Sequence, residues 1–128
     1  MIPFIEKRLN DLSPKQSDEK LPQAAVLILI TDNDNDYSIV YTERSKKLPS
    51  HAGEVAFPGG KKEDEDRNLI ETVLRETHEE IGIEPNLIKI LGRMDPQESR
   101  FGISVTPYVG YAAGSLNFKK DPKEVETI

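Results

Sequence analysis

The sequence contains no cysteine, and this absence excludes three kinds of chemistry. A chain without cysteine has no disulfide framework, no thiolate zinc site and no cysteine nucleophile. Basic residues are also outnumbered, with 17 Lys and Arg against 23 Asp and Glu, for a net charge of −6. Because a nucleic-acid groove needs an excess of cations, this balance argues against DNA or RNA as a partner.

The sequence also lacks a long apolar segment. Its longest apolar run, Ala24 to Ile30, is far shorter than the ~20 residues that span a bilayer as a helix. The first residues, Met1 to Glu6, have neither the basic nor the apolar region of a secretory signal. We therefore expect a cytoplasmic protein with no membrane partner.

The 128 residues are expected to form a single domain in three parts. Residues 1–12 carry apolar side chains at helical spacing and predict an N-terminal amphipathic helix. Residues 13–23 are polar, contain two prolines and predict a linker. Residues 24–128 are the predicted core.

The core begins with the apolar run, which predicts a strand buried on both faces. Residues 32–36 are rich in Asp and Asn and predict a hairpin turn, with residues 37–43 as the second strand. A calcium loop of the EF-hand type is the weaker interpretation of residues 32–36, because its glycine and its terminal glutamate are absent.

One long helix and several short strands follow. The helix is predicted over residues 67–81, with Asn68 and Glu71 as a capping box and Gly82 as the C-terminal cap. The further strands are predicted at residues 54–57, 87–91, 103–109 and, as the start of another, 115–118. Strands around a central helix predict a mixed sheet in an α+β or α/β sandwich.

The long helix carries an unusual group of carboxylates. Its apolar arc, expected to pack on the sheet, consists of Ile70, Leu74 and Ile81. Beside that arc, at spacing i, i+3 and i+4, lie Glu76, Glu79 and Glu80. Carboxylate oxygens at the edge of a core, next to a flexible Gly-Gly bend, suit Mg²⁺ or Mn²⁺. A solvated charged face is the alternative interpretation.

These residues resemble the motif of a known family. Gly59-Gly60 followed by Arg75-Glu76-Thr77-His78-Glu79-Glu80-Ile81-Gly82-Ile83 is similar to the Nudix box, G-x5-E-x7-R-E-U-x-E-E-x-G-U. Thr77 replaces an aliphatic residue, Asp66 takes the early acidic position, and one extra residue separates Gly60 from Arg75. The resemblance implies an α/β/α sandwich with a mixed sheet, and metal-dependent hydrolysis of a diphosphate joined to a nucleoside.

A second resemblance is narrower. The residues Thr42-Glu43-Arg44-Ser45, Leu48 to Gly60 and Val105 to Gly110 are similar to the coenzyme A diphosphatase branch, which also carries the longer box with aspartate. Pro49 stands where that branch usually has arginine. The products implied for CoA are 3′,5′-ADP and 4′-phosphopantetheine. Two alternatives stay open: a diphosphatase for ADP-ribose, NADH or another nucleotide, and a catalytically silent Nudix-fold module that binds nucleotide or protein.

The resemblance also implies roles for individual residues. The metal ligands would be Glu76, Glu79, Glu80 and the backbone carbonyl of Gly59. Arg75 would orient the glutamates, and the general base would be Glu79 or Glu98. The substrate contacts would be Arg44, His51, Gly59 and Gly60, with a surface role as the alternative for Arg44 and a structural one for His51.

The branch usually continues beyond the point where this chain stops, with a last strand and a second helix that cover the sheet. We therefore expect either a chain truncated at its C-terminal end or a core that a partner chain completes, as in a homodimer.

Overall fold

The structure is a computed structural model that describes residues 1–12, 14–16, 20–33, 36–48, 53–114, 116–123 and 125–127. In these parts of the chain lie two α-helices, α1 (Ile2–Asp11) and α2 (Leu69–Ile81), and a 3₁₀ turn at Pro85–Leu87. The strands are β1 (Gln23–Asn33), β2 (Asp36–Ile39), β3 (Thr42–Arg44), β4 (Val55–Ala56), β5 (Gly59–Lys61), β6 (Lys89–Arg93), β7 (Gln97–Glu98), β8 (Ser104–Ala112) and β9 (Val125–Thr127).

The strands form two sheets. The larger one has the order β2-β1-β8-β6, with β5 also beside β1 and β7 also beside β8. β1 and β8 run parallel, whereas every other pair in this sheet is antiparallel. The smaller sheet has the order β4-β3-β9. The prediction of a mixed sheet is therefore confirmed, and β1 and β2 pair antiparallel as expected for a hairpin. Of the predicted turn over residues 32–36, Asp32 and Asn33 lie in β1 and Asp36 in β2, and residues 34–35 lie outside the described residues.

The two faces of the larger sheet carry different helices. On one face, Leu27 and Leu29 of β1 are fully buried in a cluster that includes Val73 of α2. On the other face, Ile30 of β1 packs in a second cluster, against which Leu9 of α1 lies. Alternate residues of β1 are thus buried on opposite faces of the sheet, and each face is covered by one helix. This arrangement is the predicted α/β/α sandwich. Within the described residues, neither helix is long and apolar enough to cross a membrane.

The prediction of a single strand over residues 37–43 is wrong. The strand pairing of β2 ends at Ile39, and Val40 is buried, with its amide donating a hydrogen bond to the carbonyl of Leu29. The chain then enters the smaller sheet as β3, whose Thr42 and Glu43 pair with β4. The sequence is continuously apolar at this point, over Ile39, Val40 and Tyr41, so its composition does not reveal the break.

Two other strand predictions also need correction. Gly59 and Gly60 were expected to form a turn, but they lie in β5 and pair with Val26 and Ala25 of β1. Residues 116–118 of the strand expected to start at residue 115 are not in a strand, and residue 115 lies outside the described residues. The strand that follows β8 is β9, which pairs with β3.

Helix α2 is capped at both ends. At its start, the side chain of Asn68 accepts a hydrogen bond from the amide of Glu71 at 2.9 Å. Gly82 ends it in the left-handed conformation, with φ +76°. Beyond this cap, the amides of Lys119 and Asp121 donate to the carbonyls of Ile81 and Glu80 at 2.7 and 2.9 Å. The final turn of α2 is therefore closed by a segment that follows β8 in the chain.

The buried face of α2 differs from the predicted arc. Of the predicted arc, Ile81 is fully buried and Leu74 is partly buried against the core, whereas Ile70 is exposed. The buried residues are Thr72, Val73, Thr77, Glu80 and Ile81. The threonines tolerate burial because their hydroxyl groups donate hydrogen bonds, to Asp66 from Thr72 and to the Val73 carbonyl from Thr77. A helical wheel that identifies the buried face from apolar residues alone places such threonines on the exposed face.

Candidate active site

Two glycines bring strand β5 against its neighbours. A side chain at Gly59, where φ is +155°, would overlap the carbonyl oxygen of Ala25. A Cβ atom at Gly60 would lie 2.7 Å from the carboxyl carbon of Glu76. The backbone of the Gly-Gly pair and the Glu76 carboxylate can therefore meet only because neither position carries a side chain.

Arg75 joins the acidic residues of this region. Its Nε and Nη2 atoms donate to the two carboxylate oxygens of Asp66 at 3.0 and 2.9 Å, a bidentate pair. Its Nη1 atom contacts Glu76 at 2.8 Å and Glu79 at 3.3 Å. With Glu63 at 3.7 Å from the same Nη1 atom, one guanidinium thus gathers four carboxylates around it.

Asp66 is the buried anchor of this network. Its side chain also accepts hydrogen bonds from the amide of Glu63 and from the hydroxyl of Thr72, each at 3.0 Å. The hydrogen bonds from Arg75 hold the pKa of Asp66 well below its ordinary value, although burial opposes this shift. The sequence left the role of Asp66 open, and the structure shows that it holds Arg75.

The three box glutamates differ in exposure. Glu80 is buried, the side chain of Glu76 is 15% exposed, and that of Glu79 is 53% exposed. Among the described residues, no group of three or more histidine or acidic side chains is arranged to hold a metal ion. Arg75 contacts two of the three carboxylates instead.

The donor set nevertheless fits a hard divalent cation. Carboxylate oxygens are the ligands that Mg²⁺ and Mn²⁺ prefer. Each ionised carboxylate has about four acceptor sites, so the contacts of Glu76 and Glu79 with Arg75 leave acceptor capacity on both. The missing Cβ at Gly60 keeps space at the Glu76 carboxylate that a side chain would fill.

A cleft of about 530 Å³ opens beside the two glycines. Its lining is largely apolar, with a few charged groups, and consists of Ala24, Ala25, Val26, Arg44, Glu54, Ala56, Phe57, Gly59, Gly60, Lys61, Phe101, Ile103 and Val105. By strand alternation, Val26 and Val105 lie on the sheet face that also carries α1. The cleft therefore opens on the opposite side of the sheet from α2, with β5 between them.

Arg44 is the charged residue of the cleft with unused hydrogen-bonding capacity. Its Nε atom is buried and has no hydrogen-bond partner in the described parts of the chain. Lys61 also lines the cleft, so its lining contains two basic residues and one acidic residue, Glu54. In a chain with a net charge of −6, this local excess of positive charge favours an anionic ligand.

Of the described residues predicted for the site, Arg44, Gly59 and Gly60 line this cleft, whereas Arg75, Glu76, Glu79, Glu80 and Glu98 are not in its lining. Glu98 is exposed on β7, pairs with Ser104 of β8 and is not part of the cleft lining as far as the structure describes it. His51 lies outside the described residues. Sequence reasoning missed Phe101 and Lys61 as lining residues. The only signal for Phe101 was an aromatic residue within a polar turn, and none marked Lys61.

Comparison with known proteins identifies relatives. A family model described as the NUDIX domain matches residues 21–127. A protein of Yersinia enterocolitica named as an uncharacterized Nudix hydrolase, NudL, is 43% identical over 95% of this chain and 63% of its own length. Mitochondrial Nudix hydrolase 15 of Arabidopsis thaliana is 36% identical over 97% of this chain and 45% of its own length. The chain thus spans roughly half to two thirds of these relatives.

Solved structures share the fold at low sequence identity. A binary complex of the Caenorhabditis elegans Ap4A hydrolase has a TM-score of 0.68, at 17% identity over 84% of this chain and 77% of that one. The NUDIX domain of Shewanella oneidensis NrtR, complexed with ADP ribose, has a TM-score of 0.63, at 19% identity over 94% of this chain and 78% of that one. At such identities the likeness shows the fold alone.

Proposed function

The chain belongs to the Nudix family, and we propose on that premise that it hydrolyses a diphosphate joined to a nucleoside, with a divalent metal ion. The observation that carries the proposal is the Glu76 carboxylate, held by Arg75 against the bare backbone of Gly60. This arrangement lies beside a cleft with a local excess of positive charge, where an anionic substrate is favoured.

The residues proposed to hold Mg²⁺ or Mn²⁺ are Glu76, Glu79 and Glu80, with the backbone carbonyl of Gly59. A bound ion of this kind supplies charge neutralisation to diphosphate oxygens and lowers the pKa of water. Asp66 and Arg75 act as positioning residues, since they reach the reaction only through the glutamates that Arg75 contacts.

The reaction that we propose is attack of water on one phosphorus atom, with loss of the other phosphate as the leaving group. The P–O bond of the bridging oxygen breaks, and the proton of the water passes to Glu79. We assign this role to Glu79 because its carboxylate is the most exposed of the three and Arg75 holds it beside that of Glu76. Arg44, which lines the cleft and whose buried Nε has no partner in the described residues, binds phosphate oxygens through its guanidinium group.

Coenzyme A is the substrate that we propose, with 3′,5′-ADP and 4′-phosphopantetheine as products. The support is the resemblance of residues 42–60 to the coenzyme A diphosphatase branch, together with the place of Arg44 in the cleft lining. The alternative substrate is ADP-ribose, because a protein of the same fold was crystallised with that ligand.

The experiment offers CoA, ADP-ribose and NADH in turn to the purified protein with Mg²⁺ or Mn²⁺, and identifies the products. Preferred turnover of CoA supports the assignment, and turnover of ADP-ribose without that of CoA removes it. Failure with every substrate removes the enzymatic proposal and favours the silent module.

A pair of variants tests the box itself. Glu79→Gln is expected to lower kcat by about 10²–10³, the usual contribution of a general base. It should also weaken Mn²⁺ binding in a calorimetric titration. Glu84→Gln changes an exposed glutamate just beyond α2 and should leave both unchanged. Equal Mn²⁺ affinity in the wild type and Glu79→Gln contradicts the metal assignment.

A further inference from the structure

We infer that Phe101 forms a subsite for the nucleobase of the substrate at the rim of the cleft. This inference rests on the proposed function, because it takes the substrate to be a nucleotide.

Phe101 is presented by a tightly hydrogen-bonded turn between β7 and β8. The hydroxyl oxygen of Ser99 accepts hydrogen bonds from the amides of Phe101 and Ile103, at 3.3 and 3.2 Å. The amide of Ser99 donates to the carbonyl of Ile103 at 2.8 Å, and that of Gly102 donates to the carbonyl of Ser99 at 3.0 Å. Gly102 adopts φ +74°, which a glycine allows without strain. The backbone under Phe101 is therefore fixed before any ligand arrives.

The ring of Phe101 is much more exposed than its position in a cleft would suggest. Phe101 is 64% exposed, although it lines the cleft with Ile103 and Val105. The second aromatic ring of the cleft, Phe57, is already stacked on Tyr41 at 4.9 Å and is only half-buried. An exposed ring on a fixed turn gains burial when a flat apolar group covers it. The flat apolar group of a nucleotide is its base.

The surroundings of the ring favour an aromatic base over an aliphatic chain. The guanidinium of Arg100 lies over the Phe101 ring, 5.3 Å from its centroid. A ring and a cation together offer stacking and cation–π contacts, which bind the π-face of any base. An aliphatic arm such as pantetheine has no π-face and would gain only from burial.

The rest of the cleft supplies the complement for the other end of a nucleotide. Arg44, with its unpartnered Nε, and Lys61 line the same cleft and suit phosphate oxygens. The cleft volume of about 530 Å³ lies in the range that holds small ligands. A nucleotide whose base stacks on Phe101 and whose phosphates lie near Arg44 and Lys61 thus agrees with both the charge and the volume of the cleft.

The test measures the binding of two probes, AMP and ribose 5-phosphate, by calorimetry. The probes share the sugar and the phosphate and differ in the base. Phe101→Leu keeps an apolar side chain and removes the π-face, whereas Phe101→Tyr keeps both. Phe118→Leu is the matched control, because Phe118 is also an exposed phenylalanine but lies outside the cleft.

The wild type is expected to bind AMP more tightly than ribose 5-phosphate. Phe101→Leu should weaken AMP binding about tenfold, within the range known for the loss of a base-stacking ring. Its affinity for ribose 5-phosphate should change less than twofold. Phe101→Tyr and Phe118→Leu should match the wild type for both probes.

Three results would overturn the inference: no preference of the wild type for AMP, unchanged AMP binding in Phe101→Leu, or an equal loss for both probes in that variant. Turnover separates this inference from the proposed function. A protein that hydrolyses no nucleotide but loses its AMP preference in Phe101→Leu keeps the subsite and loses the enzymatic proposal. A protein that hydrolyses CoA with unchanged kinetics and AMP binding in Phe101→Leu keeps the enzyme and loses the subsite.

Discussion

Arg75 and Arg44 are both partly buried arginines close to the two glycines of β5, yet their surroundings differ. Arg75 donates to both oxygens of Asp66 and contacts two box glutamates. Arg44 has a buried Nε atom with no partner in the described residues. Because native proteins rarely leave buried donors unsatisfied, the unpartnered Nε of a residue that lines the cleft is consistent with a ligand at Arg44. The fold thus uses Arg75 to hold its own carboxylates, whereas Arg44 is the residue that we propose to bind an anion.

Of the substitutions that test this contrast, replacement of Arg75 should lower the free energy of unfolding the most. Arg75→Leu leaves the buried Asp66 carboxylate without its bidentate partner, and breaking a buried pair costs about 3 kcal/mol or more of the free energy of unfolding. Urea unfolding measures that loss. Arg67→Leu is the control, because Arg67 forms an exposed pair with Glu71; such pairs contribute at most ~1 kcal/mol. Equal losses in the two variants would show that Arg75 is not a structural anchor.

The second-largest effect should be a loss of stability in acid, which results from the titration of Asp66. Its folded pKa is depressed below the ordinary value of 3.8, so its contribution to stability is fully present above that value and is lost as the pH falls below it. Between pH 5 and pH 2, the free energy of unfolding of the wild type should therefore fall by about 2 kcal/mol more than that of Asp66→Asn. Urea unfolding across this pH range measures both.

Asp64→Asn serves as the control for Asp66→Asn, because Asp64 is an exposed aspartate of the same loop. Its free energy of unfolding should follow the wild-type curve. Parallel curves for the wild type and Asp66→Asn would rule out Asp66 as a source of acid sensitivity.

Arg44 should show the smallest effect on stability, with its main effect on substrate binding. Arg44→Met removes the unsatisfied donor and keeps most of the apolar volume, so the free energy of unfolding should stay within about 1 kcal/mol of the wild type. The KM for the substrate should rise about tenfold, the loss expected for one charge-assisted contact. A large loss of stability with an unchanged KM would make Arg44 a structural residue like Arg75.

The fold could be predicted where the sequence pattern is local. The apolar run of β1, the cap at Gly82 and the long helix all depend on neighbouring residues, and each lies close to its predicted position. The break at Val40 could not be predicted, because it depends on which distant strand pairs with each segment. The burial of Thr72 was also beyond the pattern, since it depends on a hydrogen bond to Asp66 across a loop.

The same limit applies to the site. The three glutamates lie on one stretch of helix, so their spacing alone predicts that they are neighbours. The anchoring of Arg75 by Asp66 depends on the path of the loop before α2. The cleft joins residues of five strands and a turn, among them Phe101 and Lys61, so nothing short of the tertiary structure could assemble it.

The amides of Lys119 and Asp121 have a consequence for movement in the box. The last turn of a free helix unwinds easily, because its carbonyls have no amide partners. Here those two amides hold the carbonyls of Ile81 and Glu80, so that turn cannot unwind until the later segment has detached from it. Detachment of that segment would therefore first release the end of the helix that positions the carboxylates.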